Sequence, residues 1–249
     1  HAIQNGAYVG DNPATWRQFN HTLTAQRKLT HGHRRALPHD EIADFIQALR
    51  SRQGGGVTAY MIEFIALAAC RLGEARLAVW GEIDRARAVW SIPATRMKMR
   101  RGHDIPLSGR MIELLDVLDD QHRALHGRAP GPSDLIFTSD RGDRPLSENA
   151  GMMLVKRMGY RDRMTVHGLR ATFRTWAGGN TEYPRELIEE QLAHQLGSVE
   201  RAYVRSSAVE RRRAMMEVWS AYLDGATRAG GSADVGKVVV LQAGATKTA

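Results

Sequence analysis

The chain has 249 residues, of which 43% are hydrophobic and 25% are charged. This composition is typical of a globular protein with a sizeable core, and it excludes collagenous, low-complexity and mostly disordered chains. No apolar run approaches the roughly 20 residues that a membrane-spanning helix needs, and no secretory signal opens the chain, so we expect neither a membrane protein nor a secreted one. The net charge of +8 and the isoelectric point near 10.0 predict an anionic partner.

The amino-terminal 35 residues are polar and carry five Lys or Arg against one Asp. They predict a linker with one short helix around Ala14–Leu23 and, at most, the remnant of a preceding domain. The first residue is His1 rather than Met, which indicates a trimmed, excised or incomplete chain.

Two helices are expected next. The first begins at Pro38, where acidic residues suit the first turn, and ends at the three glycines 54–56. The second, about Thr58–Cys70, is apolar nearly all round and is therefore expected to be buried. Its Cys70 is the single cysteine of the chain. One cysteine forms neither an intramolecular disulfide nor a zinc site, which favours a reducing compartment.

Short β-prone runs separated by charged turns follow the second helix. They are Leu77–Trp80, Ala88–Ile92 and Asp104–Leu107, and together they predict a small antiparallel sheet. Helical periodicity returns from Gly109 to about Leu125, and a short extended segment is expected at Leu135–Thr138. The chain then predicts a series of helices to about Leu223. The expected fold class is therefore mainly α with a small antiparallel β-sheet.

The last 25 residues, 225–249, are rich in Gly and Ala. They predict a flexible tail, in which the β-prone run Lys237–Leu241 is a candidate for pairing with the sheet edge of a neighbouring molecule.

Two segments concentrate the positive charge of the central region. Residues 96–101 hold four cations in six positions, and residues 141–174 hold eight basic residues against three acidic ones. Solvated surface charge and a nucleic-acid groove both explain such segments, and composition alone does not separate them.

No metal-ligand cluster, glycine-rich phosphate loop or Gly-x-Ser-x-Gly elbow supports a hydrolase, a kinase or a dinucleotide-binding protein. Six cationic, imidazole or phenolic residues near predicted helix ends and turns stand out instead. They are Arg71, Lys98, His167, Arg170, His194 and Tyr203.

Each of these residues also has an ordinary structural explanation. Arg71, at the end of the apolar helix, could complement the helix dipole or pair with Glu74. Lys98, between two predicted strands, could simply be solvated. His167 and Arg170 could share one face at a helix start and bind a single anion, but such a pair is common in proteins.

The last two candidates are equally ambiguous in isolation. His194 is expected on a helix with Leu187, Ile188 and Leu192, where a histidine is more often packed than catalytic. Tyr203 is expected on the following helix, where a tyrosine is more often a core or rim residue, and four other tyrosines compete with it as a nucleophile: Tyr60, Tyr160, Tyr183 and Tyr222.

The ordered combination resembles the signature of the tyrosine recombinase (phage integrase) family over about residues 36–224. The resemblance is strongest in Arg96-Met-Lys-Met-Arg-Arg101 with Ile105-Pro-Leu-Ser108, in His167-Gly-Leu-Arg-Ala-Thr172, in Gln191-Leu-Ala-His194, and in Val199-Glu-Arg-Ala-Tyr203. These strings, with Arg211–Met216, look like those of integrases encoded by prophages, satellite phages and genomic islands.

The resemblance implies a site-specific DNA recombinase that integrates or excises a mobile element. In that family a tyrosine, matched here by Tyr203, attacks a scissile phosphate and forms a 3′-phosphotyrosyl bond. Arg71 and Arg170 would stabilise the charge on the phosphate, and His194 would donate a further hydrogen bond to it. Lys98 would protonate the leaving 5′-oxygen, and His167 would assist proton transfer at the tyrosine hydroxyl. Glu74 is expected to orient an arginine.

The resemblance also implies partners and domain organisation. Because the covalent ester conserves the bond energy, neither a cofactor nor a metal is expected. The expected partners are double-stranded DNA attachment sites, further copies of the chain in a synaptic multimer, most simply a tetramer, and accessory DNA-bending proteins. The expected location is the bacterial cytoplasm, at the nucleoid. The catalytic domain would span residues 36–224, with the linker and remnant at 1–35 and the tail at 225–249.

Two other functions remain open at this point. A DNA-relaxing enzyme similar to type IB topoisomerases would use the same set of residues without strand exchange. A DNA-binding or assembly module would retain the motifs without forming a covalent adduct.

Overall fold

Helices make up most of the computed structural model, which describes residues 35–139, 144–194 and 208–225. The helices are α1 (Ile42–Arg50), α2 (Val57–Ala68), α3 (Leu72–Arg76), α4 (Gly109–His126), α5 (Ala150–Arg157), α6 (Gly168–Asn180), α7 (Arg185–Gln191) and α8 (Ala208–Leu223). The strands are β1 (Ile83–Asp84), β2 (Val89–Ile92) and β3 (His103–Pro106). The predicted fold class, mainly α with a small antiparallel sheet, is confirmed.

Helix α2 lies at the centre of the core. Every residue from Met61 to Cys70 is buried, as expected for a helix that is apolar on all sides. It packs against α1, α3, α4, α5, α6 and α8. The segment that follows α2 is therefore held on a rigid support, and this segment contains Arg71.

The sheet has the order β1-β2-β3, and both pairs are antiparallel. The prediction of a first strand at Leu77–Trp80 was wrong, because Trp80–Glu82 forms a 3-10 turn and β1 lies at Ile83–Asp84. Val79 instead makes an isolated bridge with Leu135. The backbone N–H groups of Trp80 and Gly81 donate to loop carbonyls at residues 134 and 132. These two donors therefore have hydrogen-bond partners without a neighbouring strand.

Aromatic side chains join the carboxyl-terminal helix to the core. The Trp219 ring on α8 contacts the rings of Phe173 and Trp176 on α6, with centroids 5.4 and 4.7 Å apart. Its indole N–H donates to the carbonyl of Ala66 on α2 at 2.8 Å. These contacts fix α8 against α2 and α6.

A buried carboxylate connects several helices on another side of α2. Glu63 is fully buried and accepts hydrogen bonds from Nε of Arg50 at 2.7 Å and from Nε of Arg110 at 2.9 Å. Arg50 also donates to Asp224, directly after α8, at 2.6 Å. Since both guanidinium groups compensate the buried charge, Glu63 links α1, α2 and α4 and, through Arg50, the end of α8.

Several predicted segments lie outside the described residues. These are the short helix in the amino-terminal linker and most of the carboxyl-terminal tail. Residues 140–143 and 195–207 also lie outside the described residues. Among the helices that are described, none is long and apolar enough to cross a membrane.

Candidate active site

Arg71 lies directly between two helices. It was expected at the end of the apolar helix, but α2 ends earlier, at Ala68, and Arg71 immediately precedes α3. Ala69 adopts a left-handed conformation, with φ of 49°, and turns the chain between the two helices. Glu74 accepts hydrogen bonds from the backbone N–H of Arg71 at 2.7 Å and from its Nη1 at 2.8 Å. The expected contact between Glu74 and an arginine is therefore present.

Arg170 lies in the first turn of α6 and is 5% exposed. Its Nη1 donates to the carbonyl of Ala69 at 2.6 Å, and its Nη2 donates to the carbonyl of Leu192 at 2.6 Å. Burial and the nearby Arg71 cation lower the pKa of Arg170 to about 10, so the guanidinium remains charged at neutral pH. The two carbonyls hold its planar fork in one orientation.

His194 lies after α7 rather than on it, which corrects the expectation that it occupies the helix with Leu187 and Ile188. The helix ends at Gln191, and Ala193 is left-handed, with φ of 49°. The turn directs Nε2 of His194 to 3.3 Å from Nη2 of Arg170. It also exposes the carbonyl of Ala193, which accepts from Nη2 of Arg71 at 3.4 Å.

Arg71, directly before α3, Arg170, in the first turn of α6, and His194, in the turn after α7, are thus brought together. Each arginine donates to the carbonyl of a left-handed alanine, Ala193 for Arg71 and Ala69 for Arg170. The sequence does not single out these alanines, because glycine is the usual residue in this conformation at a helix end.

Lys98 lies in the connection between β2 and β3, as predicted, and its side chain is exposed. Arg96, two residues earlier, donates to Glu82 and to the carbonyl of Leu77, both at 2.6 Å, and also to the carbonyl of Glu74. Since Glu74 also contacts Arg71, the connection that carries Lys98 is attached to the helix that follows Arg71.

His167 directly precedes α6, and its side chain is exposed, whereas Arg170 is buried. Gly168 lies against the backbone of Arg35 and Ala36, since a Cβ there would be 2.2 Å from the carbonyl oxygen of Arg35. The same oxygen accepts a hydrogen bond from the backbone N–H of Thr165 at 3.0 Å. The backbone that carries His167 is therefore packed against residue 35, where the described chain begins.

Tyr203 lies outside the described residues, which resume at Ala208 with α8. The residues on either side of this gap are connected by Gln191. Its amide oxygen accepts from Nη1 of Arg212 on α8 at 3.1 Å, and its amide nitrogen donates to the carbonyl of Ala68 at 2.8 Å. Its backbone carbonyl accepts from Nε2 of the buried His103 at 3.1 Å. Gln191 thus connects α2, α7, α8 and β3 beneath the site.

Glu189, a buried acid on α7, is a further residue of the site that the predictions from sequence did not include. Its Oε2 lies 2.5 Å from Nδ1 of His194, and its Oε1 accepts from Nε of Arg174 at 2.7 Å. The available signal was an acidic residue among the apolar positions of a helix, five residues before a candidate histidine.

Some cations of the two basic segments pair with groups of the protein itself, and most of them are exposed. Arg96, Arg170 and Arg174 make the contacts given above, and Arg163 pairs with Glu41. The exposed cations with described side chains are Lys98, Arg100, Arg101, Arg144, Lys156, Arg157, Arg161, Arg163 and Arg174. The charge of Arg96 is therefore compensated by the protein's own carboxylate and carbonyls, whereas Lys98, Arg100 and Arg101 in the same segment are exposed.

The arrangement suits a bound oxyanion. Two guanidinium groups and an imidazole converge, and the contacts described above occupy three of the five N–H groups of Arg170. Fixed donors of this kind stabilise charge that develops on a tetrahedral phosphate. Among the described residues, no group of three or more His, Cys, Asp or Glu side chains is placed to hold a metal ion.

Comparison with known proteins gives consistent matches. Residues 35–210 match the family described as the phage integrase family. The prophage integrase IntZ of Escherichia coli (strain K12) is 34% identical over 201 residues, which cover 81% of this chain and 48% of the relative. The integrase of Shigella phage Sf6 is 33% identical over 191 residues, which cover 76% and 47%. The chain therefore spans about half the length of these relatives.

Solved structures share the fold at low sequence identity. The XerA recombinase superposes with a TM-score of 0.52 at 13% identity, covering 79% of this chain and 67% of the other. A lambda integrase dimer bound to a COC′ core site gives a TM-score of 0.51 at 19% identity, covering 81% and 54%.

Proposed function

Since the chain belongs to the phage integrase family, we propose that it is the catalytic part of a site-specific DNA recombinase that integrates or excises a mobile element. The convergence of Arg71, Arg170 and His194 is the observation that carries this proposal, because those side chains form an oxyanion-binding group. The catalytic domain would span residues 36–224, with 1–35 as a linker and 225–249 as a tail.

The proposed reaction is a phosphoryl transfer to a tyrosine. The hydroxyl oxygen of Tyr203 attacks the scissile phosphorus, the bond to the 5′-oxygen breaks, and a 3′-phosphotyrosyl ester forms. Arg71 and Arg170 stabilise the added negative charge on the phosphate, and the guanidinium of Arg170 is already oriented by two carbonyls. Attack by a free 5′-hydroxyl of a partner strand reverses the step and releases Tyr203.

Proton transfers accompany attack and departure. A tyrosine with an ordinary pKa near 10 is mostly neutral at pH 7, so it needs a base or a cationic pocket to react. The exposed His167 is the proposed assistant at that hydroxyl, and the exposed Lys98 is the proposed acid for the leaving oxygen. His194 completes the set as a hydrogen-bond donor to the phosphate.

The proposed partners are double-stranded DNA attachment sites and further copies of the chain in a synaptic multimer. The lambda integrase structures with a similar fold include a dimer on a core site and a tetramer on a Holliday junction, which supports assembly on DNA. Accessory DNA-bending proteins and a location at the bacterial nucleoid are part of the same proposal.

A covalent trapping assay tests the function. The chain is incubated with nicked duplexes from the junctions of its mobile element, in EDTA and without ATP, and a protein–DNA band that survives denaturation is expected. Absence of the band, with DNA binding verified, would favour a non-catalytic DNA-binding module. A requirement for paired sites separates recombination from simple relaxation of supercoils.

A further inference from the structure

The hydrogen bonds of His194 determine which ring nitrogen carries its proton. Nε2 lies 3.3 Å from Nη2 of Arg170, and a guanidinium can only donate, so Nε2 accepts. Nδ1 lies 2.5 Å from Oε2 of Glu189, and a carboxylate can only accept, so Nδ1 donates. Both contacts require the same neutral tautomer, with the proton on Nδ1.

Glu189 is itself held from two sides. It is 7% exposed, and Nε of Arg174 donates to its Oε1 at 2.7 Å. Burial would raise the pKa of Glu189, but the hydrogen bonds from His194 and Arg174 outweigh burial and lower the pKa below its ordinary value. The carboxylate is therefore charged at neutral pH and fixed in place.

The contacts form a closed ring between two helices. Arg170 and Arg174 are one turn apart on α6; the first contacts His194 directly, and the second contacts it through Glu189 on α7. A ring of this kind leaves the imidazole little freedom to rotate.

We propose that Glu189 is a positioning residue that fixes His194 as the Nδ1–H tautomer and stabilises the imidazolium when a phosphate arrives. The effect on cleavage rests on the proposed function, whereas the tautomer does not. In the free protein Nε2 accepts from Arg170 and has no hydrogen to donate. When a phosphate oxygen takes the place of that N–H, Nε2 takes up one proton from solvent, keeps it and donates a hydrogen bond to the oxygen, while Glu189 compensates the positive charge of the imidazolium.

The charged and titratable groups around the His194 imidazole come from several elements. They are Arg170 and Arg174 on α6, Glu189 and Glu190 on α7, Arg71 and Glu74 at the start of α3, and Cys70 before it. Burial and Glu74 raise the pKa of Cys70, so the thiol stays neutral. The nearby arginines oppose a second positive charge, and Glu189 is the carboxylate in direct contact with the ring.

Nitrogen NMR of the histidine side chains tests the tautomer directly. In the free chain labelled with 15N-histidine, the His194 signals, identified by their loss in His194→Gln, should show a protonated Nδ1 and an unprotonated Nε2. Glu189→Gln keeps an acceptor at nearly the same position and should retain this tautomer, whereas Glu189→Ala should lose it. A protonated Nε2 in the free parent chain would overturn the proposal.

Cleavage of a nicked duplex tests the consequence. Glu189→Ala should slow covalent adduct formation by roughly 10- to 100-fold with little change in noncovalent DNA affinity. Glu189→Gln should fall between Glu189→Ala and the parent, because it supplies the hydrogen bond without the charge. Glu186→Gln, which removes a charge from the same helix, is the matched control and should cleave at the parental rate.

The two measurements separate the two hypotheses. Parental cleavage by a folded Glu189→Ala protein would overturn the proposal. If Glu189→Ala does not fold, parental cleavage by Glu189→Gln would overturn the role of its charge. If the parent chain itself cleaves no DNA, the proposed function fails, and the NMR shifts still decide whether Glu189 fixes the tautomer.

Discussion

Nη2 of Arg170 donates to the carbonyl of Leu192 at 2.6 Å and lies 3.3 Å from Nε2 of His194, so one guanidinium contacts both the turn after α7 and the side chain that the turn presents. Its Nη1 reaches the carbonyl of Ala69 at 2.6 Å. Arg170 therefore connects three parts of the site.

Replacement of Arg170 by lysine tests this role. A single ammonium lacks the planar fork that reaches both carbonyls and a phosphate, so Arg170→Lys should slow cleavage by about 100- to 1,000-fold, the scale of a lost oxyanion donor. The measurement is the single-turnover rate of adduct formation at saturating DNA. The exposed Arg161→Lys is the control and should cleave at the parental rate; a near-parental rate for Arg170→Lys would exclude Arg170 from contact with the phosphate.

Replacement of Tyr203 by phenylalanine tests the nucleophile. Only a hydroxyl is lost, so Tyr203→Phe should abolish the covalent band while leaving DNA affinity and thermal stability nearly unchanged. Tyr183→Phe is the matched control and should retain the band. Adduct formation by Tyr203→Phe would assign the attack to another tyrosine.

A modified substrate tests Lys98 as the acid that protonates the leaving oxygen. A thiolate leaves without protonation far more readily than an alkoxide, because a thiol has a much lower pKa than an alcohol. Lys98→Ala should therefore cleave an ordinary duplex poorly and a duplex with sulfur at the 5′-bridging position at close to the parental rate.

The exposed Arg100, in the same connection, provides the control for Lys98. Arg100→Ala should affect both substrates equally, through DNA affinity. If sulfur does not rescue Lys98→Ala, Lys98 acts on binding rather than on the leaving group.

The general fold could be predicted because its signals are local. An apolar stretch without a polar face predicts the central α2, and the alternating runs predict β2 and β3, which pair as Trp90 with Ile105. The short β1 could not be found in this way. Its two residues carry too little pattern, and the preceding β-prone run contains Trp80, whose backbone N–H donates to a distant loop.

The candidate site was only partly predictable, because the contacts that build it join residues far apart in the sequence. Arg71, Arg170 and His194 could be chosen because they match a family signature, but their mutual contacts depend on where helices end. Ala69 and Ala193 end α2 and α7 in a conformation that disfavours alanine, and tertiary hydrogen bonds compensate for it. No local sequence rule predicts that compensation.

Protonation of His103 should make the stability of the protein depend on pH. Burial and the nearby Arg212 cation lower the pKa of His103 to about 4, whereas an unfolded histidine titrates near 6.5. Stability is therefore fully present above about pH 6.5 and is lost as the pH falls towards 4, by roughly 3 kcal/mol for this group.

Urea unfolding at pH 7.5 and pH 4.5 measures this contribution. The free energy of unfolding should fall less between the two values for His103→Gln than for the parent, because glutamine does not titrate and its amide can still donate to the carbonyl of Gln191. Equal pH dependence of the two proteins would contradict the assignment to His103.

Gly168 provides a test of how closely residues 35 and 36 pack on α6. A Cβ at this position would lie 2.2 Å from the carbonyl oxygen of Arg35 and 3.0 Å from Cα of Ala36, so it meets backbone rather than a movable side chain. Alanine is the better helix former, which favours Gly168→Ala by about 0.5–1 kcal/mol, but relief of the clash requires residues 35 and 36 to move away from α6. We expect a net destabilisation of about 1–3 kcal/mol, the usual cost of overpacking, measured by urea unfolding.

Gly178→Ala in the same helix is the control. A Cβ at Gly178 has open space around it, so this substitution should be neutral or slightly stabilising. Equal effects of the two substitutions on the free energy of unfolding would show that the close packing of residue 35 on α6 does not persist in solution.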